Sequence, residues 1–294
     1  MTPNDELLTV AAVARRLGVA PATLRTWDRR YGLGPSSHEA GEHRRYCPMD
    51  LTKLMVMRRL IATGVSACEA AESAKSFKGK ARIERIDHEF DCAEDLVNAI
   101  HKAAQRFDTD FIESELAKNL AENGVIATWS QVIAPVLYLI GKDWEETGKG
   151  IEVEHLLTEI LKRILRKSVD NIENPLNARP VLIAAVGEEL HCLALHALAA
   201  ALAERRIQTY FLGSQTPFEA VAGMVSRSAP PAVFLWAQLQ QNANPDFFRN
   251  LPAVRPAPRI VLGGPGWVRE TCTGVALVDD ITQACLEIER AVGL

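Results

Sequence analysis

The chain has 294 residues, 48% of them hydrophobic and 24% charged, and a formal net charge of −4, an ordinary make-up for a soluble globular protein with room for two or three domains. The charge is unevenly placed: residues 1–62 carry ten Lys/Arg against six Asp/Glu, a balance of +4, and the remainder carries 23 against 31, a balance of −8, which fits nucleic-acid binding confined to one end. The six cysteines are scattered without a C-x-x-C pair, which argues against a zinc site or a disulfide framework and for a reducing cytoplasm. The start MTPNDELL has neither a basic region nor an apolar core, and no apolar run approaches the ~20 residues of a membrane span, so neither a signal peptide nor a membrane segment is expected.

In chain order, Thr9 is placed to cap a first helix carrying Val10, Val13 and Leu17. Gly18 stops that helix, and Pro21 opens a second, where its missing N–H costs nothing. Leu24 and Trp27, at i, i+3 spacing, face inward and leave Thr23, Arg25, Thr26, Arg29 and Arg30 outward. A short helix, a tight turn and a second helix with a basic outer face make a helix-turn-helix, whose second helix enters the major groove of double-stranded DNA. Gly32, Gly34, Pro35 and Gly41 predict a loop that ends in His43-Arg44-Arg45-Tyr46, a basic tip suited to phosphates or a groove edge. Asp50 to Thr63 reads as a further helix, broken by Gly64, and Ser66 caps another over Ala67–Ser76.

The segments LRTWDRRYGL (24–33) and GEHRRY (41–46), with Asp50 opening the next helix, resemble the MerR family of transcription regulators. Ser37 departs from that pattern, standing where many members place an Arg. The resemblance implies a winged helix-turn-helix head over 1–76. Thr23, Arg25, Thr26 and Arg29 would face the bases; Arg30, Tyr31, His43, Arg44, Arg45 and Tyr46 would meet the backbone or an adjacent groove.

Residues 77–85 are polar and aperiodic and read as a linker. Over 86–174 four helical segments follow, Phe90–Arg106, Thr109–Asn123, Val125–Thr147 and Ile151–Asn171, each with i, i+3, i+4 apolar spacing and short connections, which favours an antiparallel four-helix bundle. After Asn174-Pro175 buried strands and helices alternate: strands at 179–186, 209–212, 232–237, 259–262 and 275–278, helices at 195–205, 217–228, 245–251 and 281–292. This predicts a doubly wound parallel α/β domain over 178–294, with a ligand site at the carboxyl ends of its strands.

Glu189-Leu190-His191-Cys192-Leu193-Ala194 follows the first of these strands, and Gly263-Gly264 follows the fourth. Together they resemble the cobalamin-binding fold, whose pattern is (D/E)xHxxG, then SxL, then GG. Trp144 followed by Glu154-His155 is similar to the helical bundle of the CarH- and LitR-type regulators, as is the order of the three domains. The resemblance implies that His191 would coordinate cobalt, oriented by Glu189; that Trp144, Glu154 and His155 would lie over the upper face of the corrin; and that Gly263 and Gly264 would leave space for the nucleotide tail. The chain departs from that pattern in three places. Ala194 replaces the last Gly of the first motif; Trp236 falls on the Ser of the second, with Gln238 on its Leu, where an indole would fill much of a tail tunnel; and Glu145 follows Trp144, where the photoreceptor pattern has a His that captures cobalt in the light. A frame shifted by one, Ala237-x-Leu239, restores a small residue at the second motif.

Three readings of the C-terminal half stay open: a cobalamin sensor of cofactor or light, the same fold with another small-molecule ligand, or a protein-interaction and oligomerisation body. A corrinoid methyltransferase subunit shares bundle and sheet but has no reason to carry a basic helix-turn-helix, and no G-x-S-x-G, P-loop or HExxH occurs. The expectation is a DNA-binding regulator, not an enzyme. One head buries only ~600–1,000 Å² on DNA, so a homodimer or higher oligomer is expected.

Overall fold

The computed structural model describes residues 7–36, 44–62, 64–77, 90, 92–170 and 172–294. His43 and Ser37 lie outside the described residues, as does most of the expected linker. The chain forms two compact units, Met1–Phe111 and Ile112–Leu294.

In the first unit the strand β1 (Leu8–Thr9) leads into α1 (Val10–Leu17). Thr9 caps that helix by accepting a hydrogen bond from the Ala12 amide at 3.2 Å, and Gly18 ends it in the left-handed conformation, φ 63°. Pro21 is the first residue of α2 (Pro21–Tyr31). The strand β2 (Arg45–Tyr46) pairs antiparallel with β1, Leu8 opposite Tyr46 and Thr9 opposite Arg45, so the end of the glycine-rich loop is tied to the start of the first helix. α3 (Pro48–Ala62) and α4 (Ala67–Ser76, capped by Ser66) complete one core in which Val13, Leu24, Trp27, Tyr46, Leu54 and Met57 are buried. The unit also contains α5 (Ala93–Gln105), with Leu96, Val97 and Ile100 buried on one face.

The second unit takes in α6 (Thr109–Thr128) from Ile112 onward. Gly124 interrupts α6 with φ 76° and ψ 172°, and the Val125 amide beyond it donates to both carboxylate oxygens of Glu204, at 2.9 and 3.1 Å. One π-helical turn, Trp129–Ile133, then leads into α7 (Ala134–Thr147), and a turn through Gly148 leads into α8 (Ile151–Asp170). Contrary to the expectation from the sequence, the stretch Thr109–Thr147 is long and apolar enough by composition to cross a membrane. Here Leu116, Val125, Val132, Val136 and Ile140 are buried in the protein, and the break at Gly124 divides the helix.

The remaining elements are β3 (Val181–Val186), α9 (Leu193–Glu204), β4 (Thr209–Thr216), α10 (Phe218–Ser228), β5 (Ala232–Trp236), α11 (Asp246–Arg249), β6 (Arg259–Gly263), β7 (Ala276–Val278) and α12 (Ile281–Val292). The five strands are parallel in the order β4-β3-β5-β6-β7. One face packs on α9 and α12 through Leu195, Leu202 and Ile288; the other packs on α10 and α11 through Val221, Val225 and Phe247. β3 is wholly buried, which is why its sequence, VLIAAV, does not alternate. Two expectations need correction. β4 runs on to Thr216, its register against β3 shifting at Gly213, and the helix expected over 245–251 is a single turn. The chain leaves β3 for β4 on one side and then crosses to β5 on the other, so the strand order reverses between the carboxyl ends of β3 and β5.

Candidate functional site

The head presents α2 as its polar element. Leu24 and Trp27 are buried, whereas Arg25, Arg29 and Arg30 are exposed and Thr23, Thr26 and Tyr31 half-buried. The Thr26 hydroxyl donates to the Ala22 carbonyl at 3.0 Å. Arg44 is held rather than loose: its Nε donates to Asp28 Oδ2 at 3.1 Å, so α2 itself fixes the loop end beside the basic face. A Cβ on Gly34 would come within 2.2 Å of the Asp28 carboxylate, so a side chain there would displace the group that holds Arg44. The Asp50 carboxylate accepts the amides of Ser36 and Cys47, fastening both ends of the loop to α3. Sequence reading missed Asp28 as the positioning residue for Arg44; the only signal was an acidic residue inside an otherwise basic run.

Tyr46 requires a correction. On the short strand Arg45 faces out and Tyr46 faces in, 0% exposed, with a hydroxyl that has no hydrogen-bond partner among the described residues. Burial first, and then the Asp28 charge, push its pKa up. Tyr46 is therefore a core residue and not a DNA contact. Because the desolvated hydroxyl costs ~1–3 kcal/mol without a bond to offset it, Tyr46→Phe is expected to leave DNA affinity unchanged and to hold or raise the melting temperature, read by thermal unfolding beside a gel shift.

In the body, the loop after β3 sits where the strand order reverses. The Gly187 amide donates to the Thr216 carbonyl, and the Gln215 amide to the Glu189 carbonyl, at 2.9 and 2.8 Å, so β4 braces this loop. Glu189 is 0% exposed, and each of its oxygens is fully engaged. Oε2 accepts the amides of Gln238 and Leu239 at 2.9 Å and Asn242 Nδ2 at 3.0 Å; Oε1 accepts the His191 amide at 2.9 Å and lies 2.6 Å from His191 Nδ1. Burial alone would raise the pKa of this carboxyl; the hydrogen bonds from Asn242, Leu239 and His191 outweigh it and hold the value at about 2. Glu189 is thus a buried carboxylate at neutral pH. Because Glu189 is ionised, the His191 Nδ1 that faces it is the donor, so a neutral ring carries its lone pair on Nε2, on a side chain that is 54% exposed. Asn242 and the two amides after β5 were not anticipated from the sequence, since nothing in the polar run QLQQNAN distinguishes one residue.

Ala194, Trp236, Gly263 and Gly264 line one cavity of about 400 Å³, shared with Trp129 from the π-helical turn and with Trp267. Trp236 and Trp267 have indole nitrogens buried without a partner among the described residues. Trp236 is one wall of this space. The glycines are also explained locally: a Cβ on Gly263 would meet the Phe234 ring at 2.4 Å, and one on Gly264 the Ala237 carbonyl oxygen at 2.2 Å.

Trp144, Glu154 and His155 are exposed around the turn between α7 and α8. His155 Nδ1 lies 2.9 Å from the Ile151 carbonyl of its own helix, and no hydrogen bond among the described residues joins the three to Glu189 or His191.

Residues 8–76 match the family described as MerR HTH family regulatory protein, and residues 96–167 match the B12 binding domain family. The HTH-type transcriptional repressor CarH of Myxococcus xanthus is 28% identical, over 87% of this chain and 86% of its own. The repressor CarA of the same organism is 27% identical, over 88% and 87%. Among solved structures, the monomethylamine corrinoid protein of Methanosarcina barkeri superposes with a TM-score of 0.55 at 12% identity, covering 68% of this chain and 99% of that one, a likeness of fold.

Proposed function

We propose that this chain, a homologue of the CarH and CarA repressors with a MerR-type head and a B12-binding-domain region, is a cytoplasmic, DNA-binding transcriptional regulator whose body binds cobalamin and thereby controls how its heads pair on DNA. The observation that carries the ligand half is the Glu189–His191 pair: an imidazole fixed by a buried carboxylate, with its second nitrogen exposed at the point where the strand order reverses. The donor set fits a cobalt ligand, and the cavity of about 400 Å³ lined by Ala194, Trp236, Gly263, Gly264 and Trp267 has room for an aromatic tail. When bound, the corrinoid would supply a cobalt centre that responds to the state of the cofactor, and His191 would be the residue to hold it. The protein's own part is to hold His191 in one tautomer, to keep Glu189 ionised, and to cover the upper side with Trp144, Glu154 and His155. The domains in this reading are 1–76, 86–174 and 178–294, joined by 77–85. Thr23, Arg25, Thr26 and Arg29 read bases; Arg30, Tyr31, His43, Arg44 and Arg45 meet the backbone. The active form is a homodimer or larger.

A gel shift on the chain's own upstream DNA tests this. The expected result is a salt-sensitive shift whose stoichiometry changes on adding adenosylcobalamin; a shift identical with and without it rejects the coupling, and no DNA binding at low salt in either state rejects the regulator. Glu145 gives a separate prediction. A carboxylate cannot replace a captured imidazole, so illumination of the loaded protein should yield no bis-histidine spectrum, whereas Glu145→His should gain one.

A further inference from the structure

We propose that Trp236 and Trp129 determine which corrinoid this chain accepts, by making the cavity they share with Ala194, Gly263 and Gly264 an aromatic slot that holds a planar tail ring by stacking. This rests on the cobalamin reading above. Three observations lead to it. In one of the two frames of the second motif an indole stands where the cobalamin-binding pattern has a hydroxymethyl, and about 400 Å³ of space remains beside it, so Trp236 serves as a wall. A second indole, Trp129, reaches the same cavity from the bundle. It does so because α6 is broken at Gly124, restarted under the Glu204 carboxylate and then wound into one π-helical turn that begins at Trp129. Phe234 and Trp267 also line the space; of the charged residues that reach it, Arg269 and Asp279 pair with each other at 3.0 Å and are largely exposed, and Asp280 caps α12 by accepting the Gln283 amide at 2.8 Å. A slot of this kind rewards a flat ring and offers little to a ligand without one. Aromatic walls stack on a ring with a gain of about five- to 150-fold in affinity, and a serine wall has none to give.

The test compares cobalamin with cobinamide, which lacks the nucleotide tail, by absorbance titration of the full chain in the dark. The wild type is expected to prefer cobalamin, Trp236→Ser to lose about tenfold of that preference, and Trp236→Phe, which keeps a ring, to retain most of it. An unchanged preference in Trp236→Ser overturns the proposal, and an increased one shows a plug. Should Trp236→Ser fail to fold, Trp129→Leu is expected to lose preference in the same direction, and no loss there counts against the slot equally. If the wild type takes up neither corrinoid, the cobalamin reading fails by itself. The slot is then decided by free 5,6-dimethylbenzimidazole, which should quench tryptophan fluorescence of the wild type and do so about tenfold more weakly in Trp236→Phe/Trp129→Leu; no quenching of the wild type overturns the slot.

Discussion

Glu189→Ala should destabilise the body by about 3 kcal/mol, while His191→Ala should cost less than about 1 kcal/mol and still abolish cobalamin uptake. The asymmetry follows from where the two side chains sit. Removing the Glu189 carboxylate strands the Gln238 and Leu239 amides and the Asn242 side chain in a buried place, and it unties the end of β3 from the end of β5. Each stranded donor costs ~1–3 kcal/mol, less whatever water recovers. Removing the half-exposed His191 ring leaves those three bonds intact. The same carboxylate sets a pH dependence. Its folded pKa, about 2, lies below the ordinary value of 4.5, so the stability it contributes is fully present above pH 4.5 and is lost as pH falls from there toward 2. Thermal melts of the wild type should therefore steepen in their pH dependence across that window, and Glu189→Gln should flatten them. Equal destabilisation by both alanine variants would contradict the picture of Glu189 as a structural staple that also aims a ligand.

The second large effect is expected in the head. Arg25→Ala should cost about 1–3 kcal/mol on the preferred DNA and relax its base preference, because Arg25 is exposed on the outer face of α2. Arg45→Ala should weaken binding to all sequences alike and reduce the salt slope by about one. Arg44 differs from both. Its guanidinium is shared with Asp28, so Asp28→Asn should weaken DNA binding through loss of position even though it removes a negative charge from the interface. If Asp28→Asn instead tightens binding, electrostatics outweighs positioning and the held-arginine account is wrong. Competition with unrelated DNA at two salt concentrations separates these outcomes.

The head was legible in the sequence because local chemistry decides it. Thr9, Gly18, Pro21, Gly64 and Ser66 fall where caps and stops were expected. What was missed there depends on strand pairing: once β2 pairs with β1, alternation sends Arg45 out and Tyr46 into the core. The α/β region was legible for the same reason, since buried parallel strands are continuous apolar runs; only the extension of β4 past Leu212, through the polar GSQT, and the shortness of α11 escaped. In the candidate site, Glu189 and His191 were readable as a motif. The groups that complete it were not, because Gln238, Leu239 and Asn242 reach Glu189 across about fifty positions of chain through the sheet crossover. Trp129 likewise gives no signal in a helical pattern; the break at Gly124 and the Glu204 carboxylate that caps it come from two different domains of the expected layout.

The most direct test of the account is the visible absorption spectrum of the full chain after incubation with adenosylcobalamin in the dark and removal of free cofactor. The account predicts a stably coloured protein at about one corrinoid per chain, whose spectrum shows the lower nitrogen ligand and loses that signature in His191→Ala. A colourless wild type, or a His191→Ala variant with the same bound spectrum, would contradict it.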